Sequence, residues 1–469
     1  MNLRLTCSFF CEMILRFVNK LKSFSADERF AEIFKGSVFS LGSRVIATLL
    51  SLITSILVAR LYGAEVVGVL AIINAFLTLV TIFTVLGTGT SILRLIPEHV
   101  AKFSVSSAYH IYRKVQYLVT GVSLVSGALF IAVSGIVADK LFGKSHLSSY
   151  FALAAGFVVF KALADLGTQA VRGLRLIRTF AIMQVLPQAA MLLFLLVSIV
   201  LCNCPEAPVY AQLGAFAPVA VSGIWIMEHS FRCRMAPMDT VHPVSVREVL
   251  SISTPMLMTA SMQFFIGQTG VVLLGVFRSE AEVGYYSIAV KLATLTTFIL
   301  QAVNSMAAPK FSELFHSGRI DDLFYVANKT ANLIFWVSVP VLFGLILFGK
   351  AILYFLFGPE FIIAYPALLV LILGQFVSCI AGSCGNLMNM AGHQLALRNI
   401  IVVSSLTNIF LNFFLIPSFG IIGAAVTATI CTVFINIRLL LFIKGKYGRT
   451  TGFLPLLNYL NSLWLRTKK

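Results

Sequence analysis

Long apolar runs separated by charged residues recur along the whole of this 469-residue chain. Two of them form a hairpin near the N-terminus: about two dozen residues separate Lys35 from Arg60, and residues 66–92 make a second run of similar length. At a rise of about 1.5 Å per residue, each run crosses a hydrocarbon core of about 30 Å. The pattern therefore predicts helices that span a membrane.

Reading the chain for runs of about 18 or more apolar residues gives about twelve spans. Their predicted limits are 37–60, 67–92, 116–138, 149–170, 178–201, 209–228, 249–277, 284–308, 327–348, 362–390, 398–416 and 420–442. The chain is 59% hydrophobic and 11% charged, with a mean hydropathy of +0.94, which excludes an ordinary soluble protein of this length. We predict an all-α integral membrane protein.

The net charge of +17 is distributed unevenly between the two sides of the predicted membrane. With the N-terminus placed in the cytoplasm, the segments on that side hold 26 Lys and Arg residues, and the opposite side holds five. Those five are Arg60, Lys140, Lys144, Arg278 and Lys350. Cytoplasmic loops of membrane proteins carry such an excess. The distribution predicts two cytoplasmic termini and no nucleic-acid partner.

The second half of the chain repeats features of the first half. Gly68, Pro97, Tyr150 and Gly167 match Gly284, Pro309, Tyr365 and Gly382 at offsets of 212 to 216 residues. Six spans per repeat is an even number, so two parallel six-helix bundles should surround a central cavity. The predicted domains are a cytoplasmic amphipathic segment (1–35), one bundle (36–230), a cytoplasmic linker (231–247), the other bundle (248–443) and a cytoplasmic tail (444–469).

Ionisable residues deep inside predicted spans mark the candidate site. Arg44 lies in the first span on a stripe of serines and threonines, and Lys291 lies at about the same place in the second half. An unpaired charge facing lipid costs about 3 kcal/mol or more, so we expect both to face a cavity. Lys161 and Asp165 are four residues apart, a spacing that fits a structural ion pair as well as a mechanistic role.

The candidate substrate-binding residues are Arg44, Lys161, Asp165, Lys291, Ser51, Asn74, Gln268 and Gln301. For any single serine or threonine, the alternative role is to join neighbouring helices. The sequence predicts no catalytic, cofactor-binding or metal-binding residue.

Three stretches of the sequence resemble a known family. They are ILVARLYGAEVVGVLA, LGTGTSILRLIPE and EAEVGYYSIAVKLATLTTFILQAVNSMAAPKFSEL. They are similar to the polysaccharide transporter branch, which includes O-antigen-type flippases, of the multidrug/oligosaccharidyl-lipid/polysaccharide exporter superfamily. The resemblance covers roughly residues 30–450. It implies twelve spans in two bundles around a V-shaped cavity, whose lining cations Arg44, Lys161 and Lys291 could supply.

The resemblance also implies a function. We expect the chain to flip or export undecaprenyl-diphosphate-linked oligosaccharide units across the bacterial inner membrane, for O-antigen and lipopolysaccharide synthesis, by alternating access of two bundles. Fixed cations can replace the water around an anionic diphosphate. The expected partners are this substrate, membrane lipids, and a polysaccharide polymerase or glycosyltransferase. No cofactor is expected, and the coupling ion, H⁺ or Na⁺, is left open.

Two other functions were weighed against this one. A cation-coupled multidrug exporter of the same superfamily should carry embedded carboxylates, and Asp165 is the only acidic residue deep in a span. A membrane-embedded sugar transferase acting on polyprenyl phosphate should hold carboxylates for a metal or a base near the interface. The candidates Glu228, Asp321 and Asp322 form no recognisable constellation. We therefore predict a transporter and not an enzyme.

Overall fold

A computed structural model describes residues 28–201, 204–235 and 244–453, without the side chains of residues 28–38 and 306. Every regular element within these residues is a helix. In this part of the chain, nine helices are long and apolar enough to cross a membrane, and one bent helix pair makes a tenth span. The prediction of an all-α integral membrane protein is confirmed.

Fourteen α-helices follow one another along the described residues. The first bundle contains α1 (Glu28–Val85), α2 (Thr88–Lys102), α3 (Val105–Ile136), α4 (Leu147–Gly173), α5 (Ile177–Leu201), α6 (Ala207–Gly214) and α7 (Phe216–Arg232). The second contains α8 (Val246–Phe277), α9 (Glu280–Ala293), α10 (Thr296–His316), α11 (Ile320–Ile352), α12 (Tyr365–Ala381), α13 (Cys384–Met390) and α14 (Gln394–Tyr447). A 3₁₀-helix, Pro359–Ala364, precedes α12.

The two longest helices each contain two spans. Gly63 interrupts α1 with φ 79°, and Gly420 interrupts α14 with φ 54°. A backbone with positive φ favours glycine, because a Cβ atom is strained there. Dividing α1 and α14 at these glycines, and counting the bent pair as one span, gives twelve spans within the described residues. The predicted number of about twelve is confirmed.

The structure repeats in the same order as the sequence. A π-helix, Val137–Leu141, continues α3, and a second π-helix, Leu353–Phe357, continues α11. The two begin 216 residues apart, within the range of offsets found in the sequence. Positive φ angles follow at Gly143 and Gly358. These irregular features recur at one offset, which supports a fold built from two related halves.

The spans alternate in direction, so their ends gather at two opposite surfaces. We call one surface the hairpin end; it carries Gly63, Gly143 and Gly358. The other, the terminal end, carries the start of α1 at Glu28 and the end of α14 at Tyr447.

The buried apolar core is distributed differently at the two ends. One large cluster contains buried side chains of both halves, including Val58, Ile73, Leu274 and Ile288, and extends to Phe357 near the hairpin end. Two separate clusters lie toward the terminal end. One draws almost entirely on the first half and the other on the second. The halves therefore share a core at one end and have separate cores at the other, which is the arrangement of a V.

Three predicted spans are broken where the sequence pattern indicated continuous helices. The run 362–390 is interrupted between α12 and α13 by a positive φ angle at Gly382. The run 67–92 is interrupted by positive φ angles at Leu86 and Gly87. The run 284–308 bends by 43° between α9 and α10. At this bend the hydroxyl of Thr294 donates to the carbonyl oxygen of Val290 at 2.8 Å, and that of Thr297 donates to Thr294 at 2.6 Å. Such bonds compete with the helical ladder and bend helices, an effect that apolar periodicity does not register.

The predicted domain limits are only partly covered by the described residues. Helix α1 already begins at Glu28, inside the segment predicted as 1–35, and the amphipathic face of that segment lies outside the described residues. Residues 236–243 of the linker predicted at 231–247 lie outside them as well. The predicted tail, 444–469, begins as the last turn of α14 and then folds back. Its Phe453 stacks on Phe335 with ring centroids 3.9 Å apart.

Candidate substrate cavity

A cavity of about 340 Å³ lies between the two halves. Helices α1, α5, α6 and α7 contribute its lining from the first half, and α8 and α9 contribute it from the second. The polar lining residues are Ser51, Thr54, Ser55, Asn74, Gln188, Gln212, Gln268, Ser287 and Lys291. The walls between them are apolar, with Met191, Phe216 and Tyr286 among the larger side chains. The cavity therefore offers many hydrogen-bonding groups inside an apolar wall.

Lys291 is the only side chain in this lining that carries a full charge at neutral pH. Its Nζ donates to the carbonyl oxygen of Ser51 at 2.8 Å and to the hydroxyl of Ser55. Both serines belong to α1, so the amine of the second half is held by the first half. No ion pair among the described residues involves Lys291. A charge held by neutral groups in an apolar region attracts an anion strongly.

Four of the eight predicted site residues, Ser51, Asn74, Gln268 and Lys291, line this cavity. Five polar lining residues were not among the eight predicted: Thr54, Ser55, Gln188, Gln212 and Ser287. Gln188 and Gln212 were overlooked because the spans that contain them are otherwise apolar. An amide side chain in the middle of an apolar span was the signal that could have revealed them.

Arg44 and Gln301 lie outside the cavity, on the side of the terminal end. Nη1 of Arg44 donates to Oε1 of Gln301 at 2.9 Å, and this bond joins α1 of the first half to α10 of the second. Arg44 precedes Ser51 by seven residues, which is about 10 Å along the helix. Arg172, near the end of α4, lies close enough for the positive charges of the two arginines to repel each other. The approach to the cavity from the terminal end is therefore cationic.

Lys161 and Asp165 form the predicted ion pair, with Nζ 3.1 Å from Oδ2. Neither residue lines the cavity. The amine lies 5.0 Å from the centroid of the Phe216 ring, and that ring is part of the cavity wall. Lys161 is 14% exposed and Asp165 is 50% exposed. The pair thus lies outside the cavity lining, next to the Phe216 wall, and its carboxylate is half exposed.

The cavity is closed toward the hairpin end by a backbone contact between the halves. A Cβ atom on Gly68 would lie 1.8 Å from the carbonyl oxygen of Glu280, and one on Gly284 would lie 2.2 Å from that of Ala64. Gly68 and Gly284 are the pair that the sequence repeat matched. Gly68 packs against Glu280, which lies four residues before Gly284, and Gly284 packs against Ala64, which lies four residues before Gly68. The contact is therefore reciprocal, as in a two-fold interface.

The contacts toward the terminal end are made by side chains and by a shorter stretch of backbone. The hydroxyls of Ser91 and Ser253 lie 2.7 Å apart, and both residues are buried. Gly87 packs under the same region of α8: a Cβ atom on it would lie 2.4 Å from the carbonyl oxygen of Ser253. Together with the bond between Arg44 and Gln301, these contacts bring the two halves together on the terminal-end side of the cavity.

Comparison with known proteins decides the family. A family described as polysaccharide biosynthesis protein matches residues 56–366, about two thirds of the chain. The chain belongs to this family. The matched stretch contains Lys291, Asn74 and Gln268, whereas Arg44 and Ser51 precede it.

A curated relative of this family member is similar over a limited stretch. The probable low-salt glycan biosynthesis flippase Agl15 of Haloferax volcanii is 29% identical over 189 residues, which is 40% of this chain and 39% of that protein. The chain thus matches about two fifths of this relative's length.

Two solved structures show the same fold. The inward closed conformation of the lipid II flippase MurJ matches with a TM-score of 0.69 and 14% identity, over 88% of this chain and 87% of that one. An inward-facing multidrug resistance transporter of the MATE family and MOP superfamily matches with a TM-score of 0.68 and 14% identity, over 87% and 98%. The predicted architecture of membrane-spanning helices in two bundles is confirmed.

Among the described residues, no group of three or more His, Cys, Asp or Glu side chains could hold a metal ion. The charged and polar groups that line the cavity are the amine of Lys291, amides and hydroxyls.

Proposed function

We propose that this protein flips a lipid-linked oligosaccharide across the membrane, and that the amine of Lys291 binds the phosphate groups joining the sugar to the lipid. Its family is one of polysaccharide biosynthesis, a relative is named a probable glycan biosynthesis flippase, and a structure of the same fold is that of a lipid II flippase. These similarities support the proposal.

The observation that carries the proposal is the uncompensated charge of Lys291. The cavity lining contains no Asp or Glu side chain. A cationic drug would bring a second positive charge next to the amine without a carboxylate to offset it. A phosphate oxygen, by contrast, would form a charge-assisted hydrogen bond with it, about twice as strong as a bond between neutral groups. The cavity therefore favours an anionic substrate.

The contacts of Lys291 suggest how substrate binding drives the transition. In the absence of substrate, the amine ties α9 to α1 through Ser51 and Ser55. A phosphate that binds the amine competes with these serines for its three donors. Binding therefore weakens one link between the halves, which permits the rocking motion of alternating access.

Other cavity residues are suited to the sugar. Asn74, Gln188, Gln268 and Ser287 come from four different helices and present amide and hydroxyl groups to one space. Such groups donate to and accept from sugar hydroxyls, while the prenyl chain stays in the lipid. Arg44 then attracts the anion at the approach to the cavity, and Lys161 with Asp165 supports the wall.

The charge distribution and the family resemblance of the sequence support the rest of the proposal, namely the orientation, the membrane, the lipid and the partners. The terminal end faces the cytoplasm of a bacterium, the chain lies in the inner membrane, the lipid is undecaprenyl diphosphate, and a polymerase or glycosyltransferase handles the sugar before or after the flip. Residues 36–230 and 248–443 form the moving bundles. Transport requires no chemistry on the substrate, so the protein is proposed not to be an enzyme.

Reconstituted proteoliposomes test this function. The substrate is a polyprenyl-diphosphate-linked disaccharide, and an impermeant reagent that oxidises the sugar reports which leaflet holds it. Ethidium uptake is measured in parallel. We expect protein-dependent movement of the disaccharide and none of ethidium. Movement of ethidium alone would indicate a drug exporter, and release of free sugar or of a nucleotide would indicate a transferase.

A further inference from the structure

A lysine of the first half reaches into the second half at the hairpin end. Lys144 lies three residues after the first π-helix, and its Nζ donates to the carbonyl oxygen of Arg278 at 2.7 Å. The same amine lies 3.3 Å from Oε1 of Glu280, the first residue of α9. The two side chains are 16% and 15% exposed, so the ion pair is largely buried. It is the most buried of the ion pairs between halves in the described part of the chain.

The carboxylate of Glu280 depends on this lysine. Its other partner among the described residues is His146, whose Nε2 lies 3.1 Å from the same oxygen and whose side chain is 62% exposed. Glu280 also begins a helix, where unpaired backbone N–H groups favour a negative charge. Removing Lys144 would leave a buried carboxylate beside an exposed imidazole, and breaking one side of a buried pair is strongly unfavourable.

The ion pair and the glycine contact are parts of one junction. The carbonyl oxygen of Glu280 is the atom against which Gly68 packs. Lys144 and Gly68 belong to the first half, whereas Glu280 belongs to the second. The two halves cannot separate at the hairpin end unless the amine leaves the carboxylate.

Arg60 adds a second cationic contact across the halves. It donates from Nε to the carbonyl oxygen of Leu356 at 3.1 Å, at the end of the second π-helix. Arg60 lies at the end of the first span of the first half, and Arg278 lies at the end of the first span of the second half. Arg278, however, donates to the carbonyl oxygen of Pro417 at 2.7 Å, within its own half. The first half thus supplies both cations, but only Lys144 meets a charged group.

We propose that Lys144 and Glu280 form a charge latch that holds the hairpin end closed and sets how often the cavity opens there. Arg60 contributes to closure through neutral carbonyl oxygens and has no charged partner to lose. This inference goes beyond the proposed function, because it concerns the resting protein in the absence of substrate.

Electron spin distance measurements on the full-length protein in lipid nanodiscs test the latch. The accessible native cysteines are replaced by serine, and spin labels are placed at Ser149→Cys in the first half and Ile363→Cys in the second, both exposed positions near the hairpin end. Lys144→Met and Glu280→Gln should each raise the ratio of long to short distances about tenfold or more, as expected for the loss of one polar contact to a charged group. Glu280→Gln keeps the side-chain volume and removes only the charge, so it tests the latch even if Lys144→Met disturbs the packing.

Two further variants separate the latch from a general effect of charge. Exchanging the charges, Lys144→Glu with Glu280→Lys, should return the distance ratio to within about twofold of the native value. Lys140→Met removes an exposed lysine from the same π-helix region and should leave the ratio unchanged. Native-like distances in both single variants, or an exchanged pair as open as the single variants, would overturn the proposal. Neither result would bear on whether the protein flips a lipid-linked sugar, because no substrate is present.

Discussion

The two ends of the cavity are closed in physically different ways. At the hairpin end the halves share one hydrophobic core, two glycines let backbones touch, and a buried ion pair crosses the junction. At the terminal end the cores are largely separate, and beyond Gly87 the halves meet through hydrogen bonds of Arg44 with Gln301 and of Ser91 with Ser253. Val249 of α8 also packs into the core of the first half there.

This difference predicts the order of opening. Separating the hairpin end exposes apolar surface, at roughly 25 cal/mol per Å², and also breaks a buried ion pair. Separating the terminal end breaks a few hydrogen bonds, each with a net contribution of about 1 kcal/mol, and exposes only the smaller apolar contact of Val249. The resting protein should therefore open first at the terminal end, which we propose to be cytoplasmic and to receive the substrate.

The largest expected effect comes from filling the glycine contact. Gly284→Ala places a Cβ atom where the carbonyl oxygen of Ala64 lies, so the backbones of α1 and α9 must move apart. We expect a loss of about 3 kcal/mol in stability, the upper end of the usual range for overpacking, seen as a lower melting temperature in detergent.

The matched control makes the same substitution in open space. Gly156 lies within α4 and has no atom within 4 Å of a Cβ position. Gly156→Ala should be neutral or should raise stability by up to about 1 kcal/mol, because alanine is the better helix former. If both variants melt alike, the close contact at the hairpin end does not exist.

A smaller effect is expected from the bond at the terminal end. Gln301→Ala removes the acceptor for Arg44, and because both side chains are exposed, its loss should increase terminal-end opening only about threefold. The measurement is the rate at which a thiol introduced at Ser287→Cys in the cavity reacts with an impermeant reagent applied from that end. Ser305→Ala is the control, since its hydroxyl bonds within its own helix to Ala302. A rate that falls, or that rises equally in the control, would show that the bond between Arg44 and Gln301 does not hold the terminal end closed.

The smallest effect is expected from the serine pair. One of the two hydroxyls donates to the other, and each lies within hydrogen-bond distance of a carbonyl oxygen of its own helix, so Ser91→Ala leaves Ser253 able to donate to Val249. We expect a loss of about 0.5 kcal/mol or less in the free energy of unfolding. Ser123→Ala is a useful control, because the buried hydroxyl of Ser123 has no partner among the described residues and its removal should cost nothing. A loss as large as that of Gly284→Ala would mean that the contacts at the two ends contribute equally to stability.

Much of this fold could be predicted from the sequence, because long apolar runs leave a chain in a membrane few choices. The number of spans, the two related halves and the cationic character of Lys291 all followed from spacing and composition. The equivalence of Gly68 and Gly284 was visible as a match at one offset. Their direct contact was not visible, because a repeat offset does not say where the axis between the halves lies.

The cavity lining was harder to predict than the fold. Arg44 and Lys291 occupy similar places in their halves, yet Lys291 lines the cavity and Arg44 lies about two helical turns away from Ser51 toward the terminal end. The bend after Thr294 separates Lys291 from Gln301, which a straight helix would have kept on one face. Sequence periodicity identifies polar faces of helices, but local breaks in the helices decide whether a polar face lines the cavity.

The role of Lys291 in binding phosphate is tested by the rate at which Lys291 variants flip the lipid-linked disaccharide in proteoliposomes. Lys291→Met keeps the length of the side chain and removes the charge, so we expect the rate to fall about tenfold to a hundredfold, as expected for the loss of a hydrogen bond to a charged group. Lys291→Arg keeps the charge and should retain part of the rate. Normal flipping by Lys291→Met, in protein that melts like the native chain, would contradict the proposed role of this amine in binding phosphate.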